Sequence, residues 1–352
     1  MKEELCFDDI LLLPRYSELG SRTTPDISTM IGGIVKLKLP LMSAAMDSIT
    51  GERMLIAMDK AGGVGILSRY INMEHDTEVH KQVLKIKGAR SAGASNVGCA
   101  IGIKDNPTET AARLLAAGCN IICIDVAHAD HSKVYEATRQ IARLRDKHEF
   151  VLMVGNVCTG IAATRLVEAG ANCIKVGIGP GAACTTRIVT GFGRPQLFAI
   201  QECVDTVKHL ESACTTSIRM ISYLNGHRNI SIIADGGLKT SGDIIKSLWG
   251  GASACMMGYM LAGTNCTPDI EGQRVYRGMS SRSASGRSDI APEGVEFPVA
   301  YKGTTEEKLR EYQQGIKSGL AMAGAMNIEE LRECECVKVS PLCILENHPR
   351  LK

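Results

Sequence analysis

A short phrase built around glycine recurs four times along the chain, and it limits the architecture more than any other feature. Ala61-Gly62-Gly63-Val64-Gly65-Ile66, Ala117-Gly118-Cys119-Asn120-Ile121-Ile122, Ala169-Gly170-Ala171-Asn172-Cys173-Ile174 and Gly250-Gly251-Ala252-Ser253-Ala254-Cys255 each follow an amphipathic run and lead into a short apolar one. Glycine at a helix end supplies the left-handed C-cap, because a residue without Cβ takes that conformation without steric penalty. The apolar residues that follow read as a strand buried on both faces, as in parallel sheets covered by helices. The phrase is a helix-to-strand junction.

Apolar runs predict strands near residues 40–46, 63–68, 97–103, 120–126, 150–156, 172–177, 230–235 and 252–258, with helical patterns between most of them. Eight short strands alternating with helices over 352 residues predict a closed (β/α)8 TIM barrel, a single domain spanning residues 1–352. An open doubly wound sheet is the alternative. Against it, the first strand-to-helix turn lacks the G-x-G-x-x-G phosphate fingerprint.

Charge excludes several partners. The net value is 40 − 38 = +2 with no long basic or acidic block, so no nucleic acid or anionic membrane surface is expected. No apolar stretch approaches the ~18 residues that span a bilayer. Fourteen cysteines lie scattered in a long chain without a recognisable signal peptide, which fits a reducing, cytoplasmic setting. Cys99, Cys123, Cys173 and Cys255 sit inside apolar runs, where a free cysteine behaves as a small buried hydrophobe. Cys334 and Cys336 form a C-x-C without a second pair, so zinc is not expected.

In a barrel the chemistry sits at the carboxyl ends of the strands. The residues there include Ser43 through Ser48, Ser68-Arg69, Asp125 through His131, Gly155-Asn156, Asp235-Gly236-Gly237 and Gly258-Tyr259. The most unusual segment is Gly177-Ile178-Gly179-Pro180-Gly181-Ala182-Ala183-Cys184-Thr185-Thr186-Arg187. Its glycines let main-chain groups converge on a small ion or a phosphate. Cys184 is the one cysteine on a polar loop at a strand end, where a nearby arginine and convergent amides would favour the reactive thiolate. The alternative is a tight loop with an idle thiol. Loops after strands 7 and 8, here Asp235-Gly236-Gly237 and Gly258, commonly bind phosphate through backbone amides. His128 and His131 read as surface or helix-entry groups, the charged run 306–311 as a solvated helix face, and Trp249 as packing at a helix end.

These residues together carry a resemblance. The cysteine loop, with Val189-Thr190-Gly191 and Pro195-Gln196 behind it, resembles that of the IMP dehydrogenase and GMP reductase family. The likeness extends to Phe7-Asp8-Asp9-Ile10-Leu11-Leu12, Ser43-Ala44-Ala45-Met46-Asp47, Asp125-Val126-Ala127-His128, Gly155-Asn156-Val157, Ala234-Asp235-Gly236-Gly237, Tyr276-Arg277-Gly278-Met279 and Glu293-Gly294 before Tyr301-Lys302-Gly303.

The resemblance implies a barrel enzyme, usually a homotetramer, that binds a purine nucleotide monophosphate (IMP, XMP or GMP) beside NAD or NADP. By the same resemblance Cys184 attacks C2 of the purine as thiolate while a hydride passes between C2 and the nicotinamide. Thr186 and Glu293 would handle protons, and Asp235 would hold the ribose hydroxyls. Gly237, Gly258 and Tyr276 would surround the phosphate, and Gly278, Met279 and Ser280 would run along the base. Asp125 and Asn156 would lie on the cofactor side. Carbonyls of Gly179, Gly181 and Cys184 match positions that hold potassium in dehydrogenase members. Two departures stand out. Gly181-Ala182-Ala183 lacks the family's serine hydroxyl for the phosphate, and Tyr259 replaces a glycine or serine, supplying a hydroxyl or narrowing the pocket.

The branch within the family stays open at this point. Family dehydrogenases generally carry a regulatory two-repeat (CBS) insert between the second and third barrel strands, whereas here residues 83–96 join those strands in a few residues. The flap and adjoining loop cover residues 277–303, and within them the stretch Ser281 to Ala291 is short. Dehydrogenases activate water with an arginine–tyrosine pair on this flap, and here Arg287 is followed by Ser288. That favours a reductase. The wording of Ser43-Ala44-Ala45-Met46-Asp47, Tyr276-Arg277-Gly278-Met279, Ser241-Gly242-Asp243-Ile244 and Tyr301-Lys302-Gly303 is closer to the dehydrogenase branch, which is the main expectation. A nucleotide-binding protein without turnover is a third reading, opposed by the intact Cys184, Thr186, Asp235 and Glu293.

Overall fold

Eight parallel strands close on themselves: β1 (Leu41–Ser43), β2 (Val64–Leu67), β3 (Val97–Ile101), β4 (Ile121–Asp125), β5 (Val151–Val157), β6 (Cys173–Val176), β7 (Ser231–Asp235) and β8 (Ala254–Met257). Their order around the ring is the order of the chain, with β8 pairing back to β1. The computed structural model describes residues 3–70, 75–104, 106–214, 229–286, 289 and 291–346. Each strand lies within the range its apolar run predicted, except that β5 runs one residue further, to Val157. The doubly wound alternative is excluded by the closure.

The recurring phrase does what its chemistry requires. Helices Glu52–Lys60, Pro107–Ala116, Gly160–Glu168 and Ser241–Trp249 end just before it, and Gly62, Gly118, Gly170 and Gly251 each take φ between +87° and +106°. At Gly62 a Cβ would come within 2.7 Å of Lys38 Cβ, so the position is closed to other residues on two grounds. The segment 83–96, expected to join the second and third strands, is the second half of helix His75–Ser91 followed by a turn into β3. Its apolar residues Ile86 and Ala89 are buried against the barrel, which the charged residues around them concealed.

Side chains on a strand alternate between its two faces. Ile121 and Cys123 of β4, Val151 and Met153 of β5, Cys173 of β6 and Ile233 of β7 accordingly share one apolar cluster inside the barrel. Ile122, Ile124, Leu152, Val154, Ile174 and Ile232 belong to the cluster beneath the outer helices. The inner series, continued one step toward the carboxyl end, places Asp125, Gly155, Lys175 and Asp235 in the top layer. Asp125 is paired with Gly155 and Gly155 with Lys175 in the strand register. At the opposite end a hairpin, Thr29–Ile31 with Val35–Leu37, turns through Gly32 and Gly33 at positive φ and inserts Ile31, Val35 and Leu37 under the inner cluster. The amino end is plugged; the carboxyl end is where side chains remain accessible.

The cysteines outside the cysteine loop fulfil the bland expectation: Cys99, Cys123, Cys173 and Cys255 are free and buried. Trp249 ends its helix, with its indole N–H donating to the Cys334 carbonyl at 2.8 Å. His131 caps helix Ser132–Ala142, its Nδ1 accepting from the Lys133 amide. The run 306–311 lies on helix Thr305–Met322, largely solvent-facing. Among the described residues no group of His, Cys, Asp and Glu side chains could hold a metal ion, and no helix is long and apolar enough to cross a membrane.

Candidate active site

The loop after β6 folds back over the carboxyl end of the barrel. Gly177 must pass so close to β7 that a Cβ there would stand 2.1 Å from the Asp235 carbonyl oxygen. Beyond it the Cys184 amide donates to the Gly181 carbonyl at 3.0 Å, closing a turn that presents the thiol. The loop is then zipped to a distant segment. Cys184 bridges Gly294, the Thr185 amide donates to the Glu293 carbonyl at 2.9 Å, and the Val295 amide donates to the Ala183 carbonyl at 2.9 Å.

That backbone register brings three side chains into a line. The Cys184 thiol donates to Thr186 Oγ1 at 3.2 Å, and the Thr186 hydroxyl donates to Glu293 Oε2 at 2.7 Å. Arg187, expected to stand by the thiol, does not take that place. Its stem packs on Gly179 and Gly193, and its guanidinium donates to the Arg194 carbonyl. Residue 187 lies in the first turn of the short helix Thr186–Thr190 with its guanidinium on the Arg194 carbonyl, and the thiol's partner is a hydroxyl instead of a cation.

The same cleft is lined by Gly179, Gly181, Asp235, Gly237, Gly258 and Tyr259, and further round by Tyr276, Gly278, Met279 and Ser280. Asp125 and Asn156 line it from the β4 and β5 ends. Arg287 and its neighbour Ser288 lie outside the described residues; every other site residue expected from sequence borders this one cleft. Tyr276 is buried, with its hydroxyl filling the space a side chain at Gly258 would need. Burial first, and the Asp235 charge second, push its phenol well above the ordinary tyrosine range. Tyr259 packs edge-on against the Tyr276 ring with centroids 5.4 Å apart, and the Lys302 ammonium sits 3.9 Å from its own ring centroid. Arg277 holds the loop that follows by pairing with Asp47 and reaching Glu296 at 3.6 Å.

One residue escaped the sequence reading. Lys175 is buried at the top of β6, its Nζ 2.9 Å from Asp125 Oδ1 and 2.6 Å from Asp235 Oδ2, and it also donates to Asn156 Oδ1. Burial opposes its charge, but the Asp125 and Asp235 carboxylates outweigh that and hold its pKa above the ordinary lysine value. Asn156, expected beside Asp125, also donates to Asp235 Oδ2 at 2.9 Å and to the Gly177 carbonyl at 2.7 Å. The available signal was a lone lysine at an inward strand position, two residues after Cys173 and two before Gly177.

The family model described as IMP dehydrogenase / GMP reductase domain matches residues 4–350. The chain belongs to the IMP dehydrogenase / GMP reductase family. Within this family it is 34% identical to an inosine-5'-monophosphate dehydrogenase of Cryptosporidium parvum, over 98% of this chain and 94% of that protein. One from Borreliella burgdorferi is 31% identical, over 99% and 97% respectively. One from Nitrosopumilus maritimus is 27% identical, over 99% and 98%. The last alignment runs to 490 positions against a chain of 352 residues, so that family member carries stretches this chain lacks.

Proposed function

We propose that this chain is an IMP dehydrogenase, converting IMP, NAD⁺ and water to XMP, NADH and a proton. The observation that carries the reading is the hydrogen-bonded line Cys184–Thr186–Glu293 at the mouth of a barrel whose relatives are named for that activity. Cys184 forms a C–S bond to C2 of the purine. Its proton passes to Thr186 Oγ1 as the threonine's own proton moves to Glu293, so that the carboxylate acts as base through the hydroxyl. Splitting the oxidation through a covalent adduct gives C2 a hydrogen that can leave with its electron pair. Water then attacks C2, giving one proton to the ring nitrogen N3 and the other to solvent as its oxygen becomes the C2 carbonyl, and the sulfur departs with the proton returned from Glu293.

The residues present suit the nicotinamide dinucleotide, which supplies the acceptor for the C2 hydrogen when bound. Asp125 lies on the cleft wall with Oδ1 held by Lys175, leaving Oδ2 to accept from a ribose hydroxyl, and Asn156 stands beside it. Asp235, similarly held, serves the nucleotide ribose; Gly237, Gly258 and Tyr276 enclose the phosphate, with Tyr259 as outer wall; Gly278, Met279 and Ser280 border the base. Main-chain oxygens of Gly179, Gly181 and Cys184 are the hard, neutral donors that suit a potassium ion. We assign the chain to one catalytic barrel without the regulatory insert, acting as a homotetramer in the cytoplasm.

A specific feature favours a second reading. Arg287 is followed by Ser288 where the water-activating pair needs a tyrosine, which fits a GMP reductase: GMP, NADPH and a proton to IMP, ammonia and NADP⁺. In that direction the Thr186–Glu293 line would protonate the departing amine. Purified protein offered IMP with NAD⁺ and, separately, GMP with NADPH decides between them, by nicotinamide absorbance and released ammonia. Turnover of neither, with IMP still bound, would leave a binding protein.

A further inference from the structure

The functional reading uses Asp125 and Asp235 as two separate ribose anchors, yet a single ammonium joins them. Lys175 Nζ has three N–H groups and three acceptors: Asp125 Oδ1, Asn156 Oδ1 and Asp235 Oδ2. Its side chain is 3% exposed, whereas those of Asp125 and Asp235 are 18% and 21% exposed, so the cation stands behind and the carboxylates face the cleft. The second oxygen of each carboxylate takes no protein donor among the described residues. Gly155 makes room for this arrangement, since a Cβ there would lie 2.5 Å from both Lys175 Cβ and its carbonyl oxygen.

We propose that Lys175 is a positioning residue that couples the nucleotide and cofactor subsites by sharing one positive charge between their two anchoring carboxylates. The proposal rests on the ribose-binding roles assigned to Asp125 and Asp235. Neutralising Asp125 leaves the whole ammonium charge to Asp235, which then accepts more weakly from ribose hydroxyls. Nucleotide affinity therefore depends on a carboxylate that the nucleotide does not touch. By linkage the reverse holds for Asp235 and the cofactor.

A double-mutant cycle read by equilibrium dialysis of IMP tests this without turnover. In the full chain, Asp125→Asn should weaken IMP binding about fivefold or more, within the usual span of coupled sites. In a Lys175→Met background the same change should alter it less than about twofold. Should Lys175→Met melt early, Lys175→Gln, which keeps a donor without the charge, takes its place in the cycle. An Asp125→Asn effect of equal size in both backgrounds overturns the coupling while leaving the functional reading intact. If the unsubstituted chain fails to bind IMP, the functional reading falls and takes this proposal with it.

Discussion

Thr186 donates its hydroxyl proton to Glu293 at 2.7 Å, although the two residues stand 107 positions apart in the sequence. The contact is held by main-chain bonds on both sides: Thr185 N–H to the Glu293 carbonyl and Val295 N–H to the Ala183 carbonyl. The carboxylate thus reaches the thiol through the threonine hydroxyl, so breaking either of the two hydrogen bonds should interrupt the same proton path.

Cys184→Ala removes the atom that bonds to C2. Nicotinamide reduction should fall to background while IMP binding stays within about threefold, since only the covalent step is lost. Residual turnover near the unsubstituted rate would refute the nucleophile assignment.

Glu293→Gln keeps the hydrogen bond from Thr186 but removes the base. The expected result is a loss of about 10²-fold in kcat with little change in IMP affinity. Thr186→Val should show a comparable loss if the proton travels through the hydroxyl. A large effect of Glu293→Gln with none of Thr186→Val would mean that the carboxylate reaches the thiol directly.

Gly155→Ala forces a methyl into contact with Lys175 and should lower stability by about 1–3 kcal/mol in urea denaturation, as overpacking does. Weakened IMP binding should accompany the loss because the displaced side chain is Lys175. A fully stable variant with normal binding would show that β5 can shift to absorb it.

Acid stability should depend on Glu4. The Arg194 hydrogen bond holds its carboxyl below the ordinary glutamate value against a smaller opposing effect of burial. A carboxyl depressed in the folded state stabilises above its unfolded pKa, and the contribution fades as pH falls through the folded value. Glu4→Gln should therefore flatten the loss of stability in the acid limb below about pH 4.5, measured by thermal melts across pH, and lower stability near neutrality. An unchanged acid limb would assign it to other carboxylates.

Ser288→Tyr restores the tyrosine after Arg287. XMP formation from IMP should rise if Arg287 is aligned for water activation. No gain would favour the reductase direction.

The barrel was legible in the sequence because its causes are local. Four glycine-capped junctions fix where helices stop and strands start, and a run of apolar residues is a buried strand whatever surrounds it. Cys184, Asp235 and Gly237 were marked by their places in loops at strand ends, whereas Glu293 was reached only through the family resemblance. Residues 83–96 were legible as the join to the third strand, but their helical face was not, because lysines and an arginine punctuate the pattern that buries Ile86 and Ala89.

Tertiary structure alone decided what those groups touch. Lys175 reads in sequence as one charge in an apolar strand; barrel closure places β6 between β5 and β7, and only that makes it the shared partner of Asp125, Asn156 and Asp235. Arg187 is three residues from Cys184 in the chain, yet the turn of its short helix carries the guanidinium to Arg194. Strand identity follows from patterns a few residues long, whereas hydrogen-bond partners follow from a register between segments far apart, which no local pattern encodes.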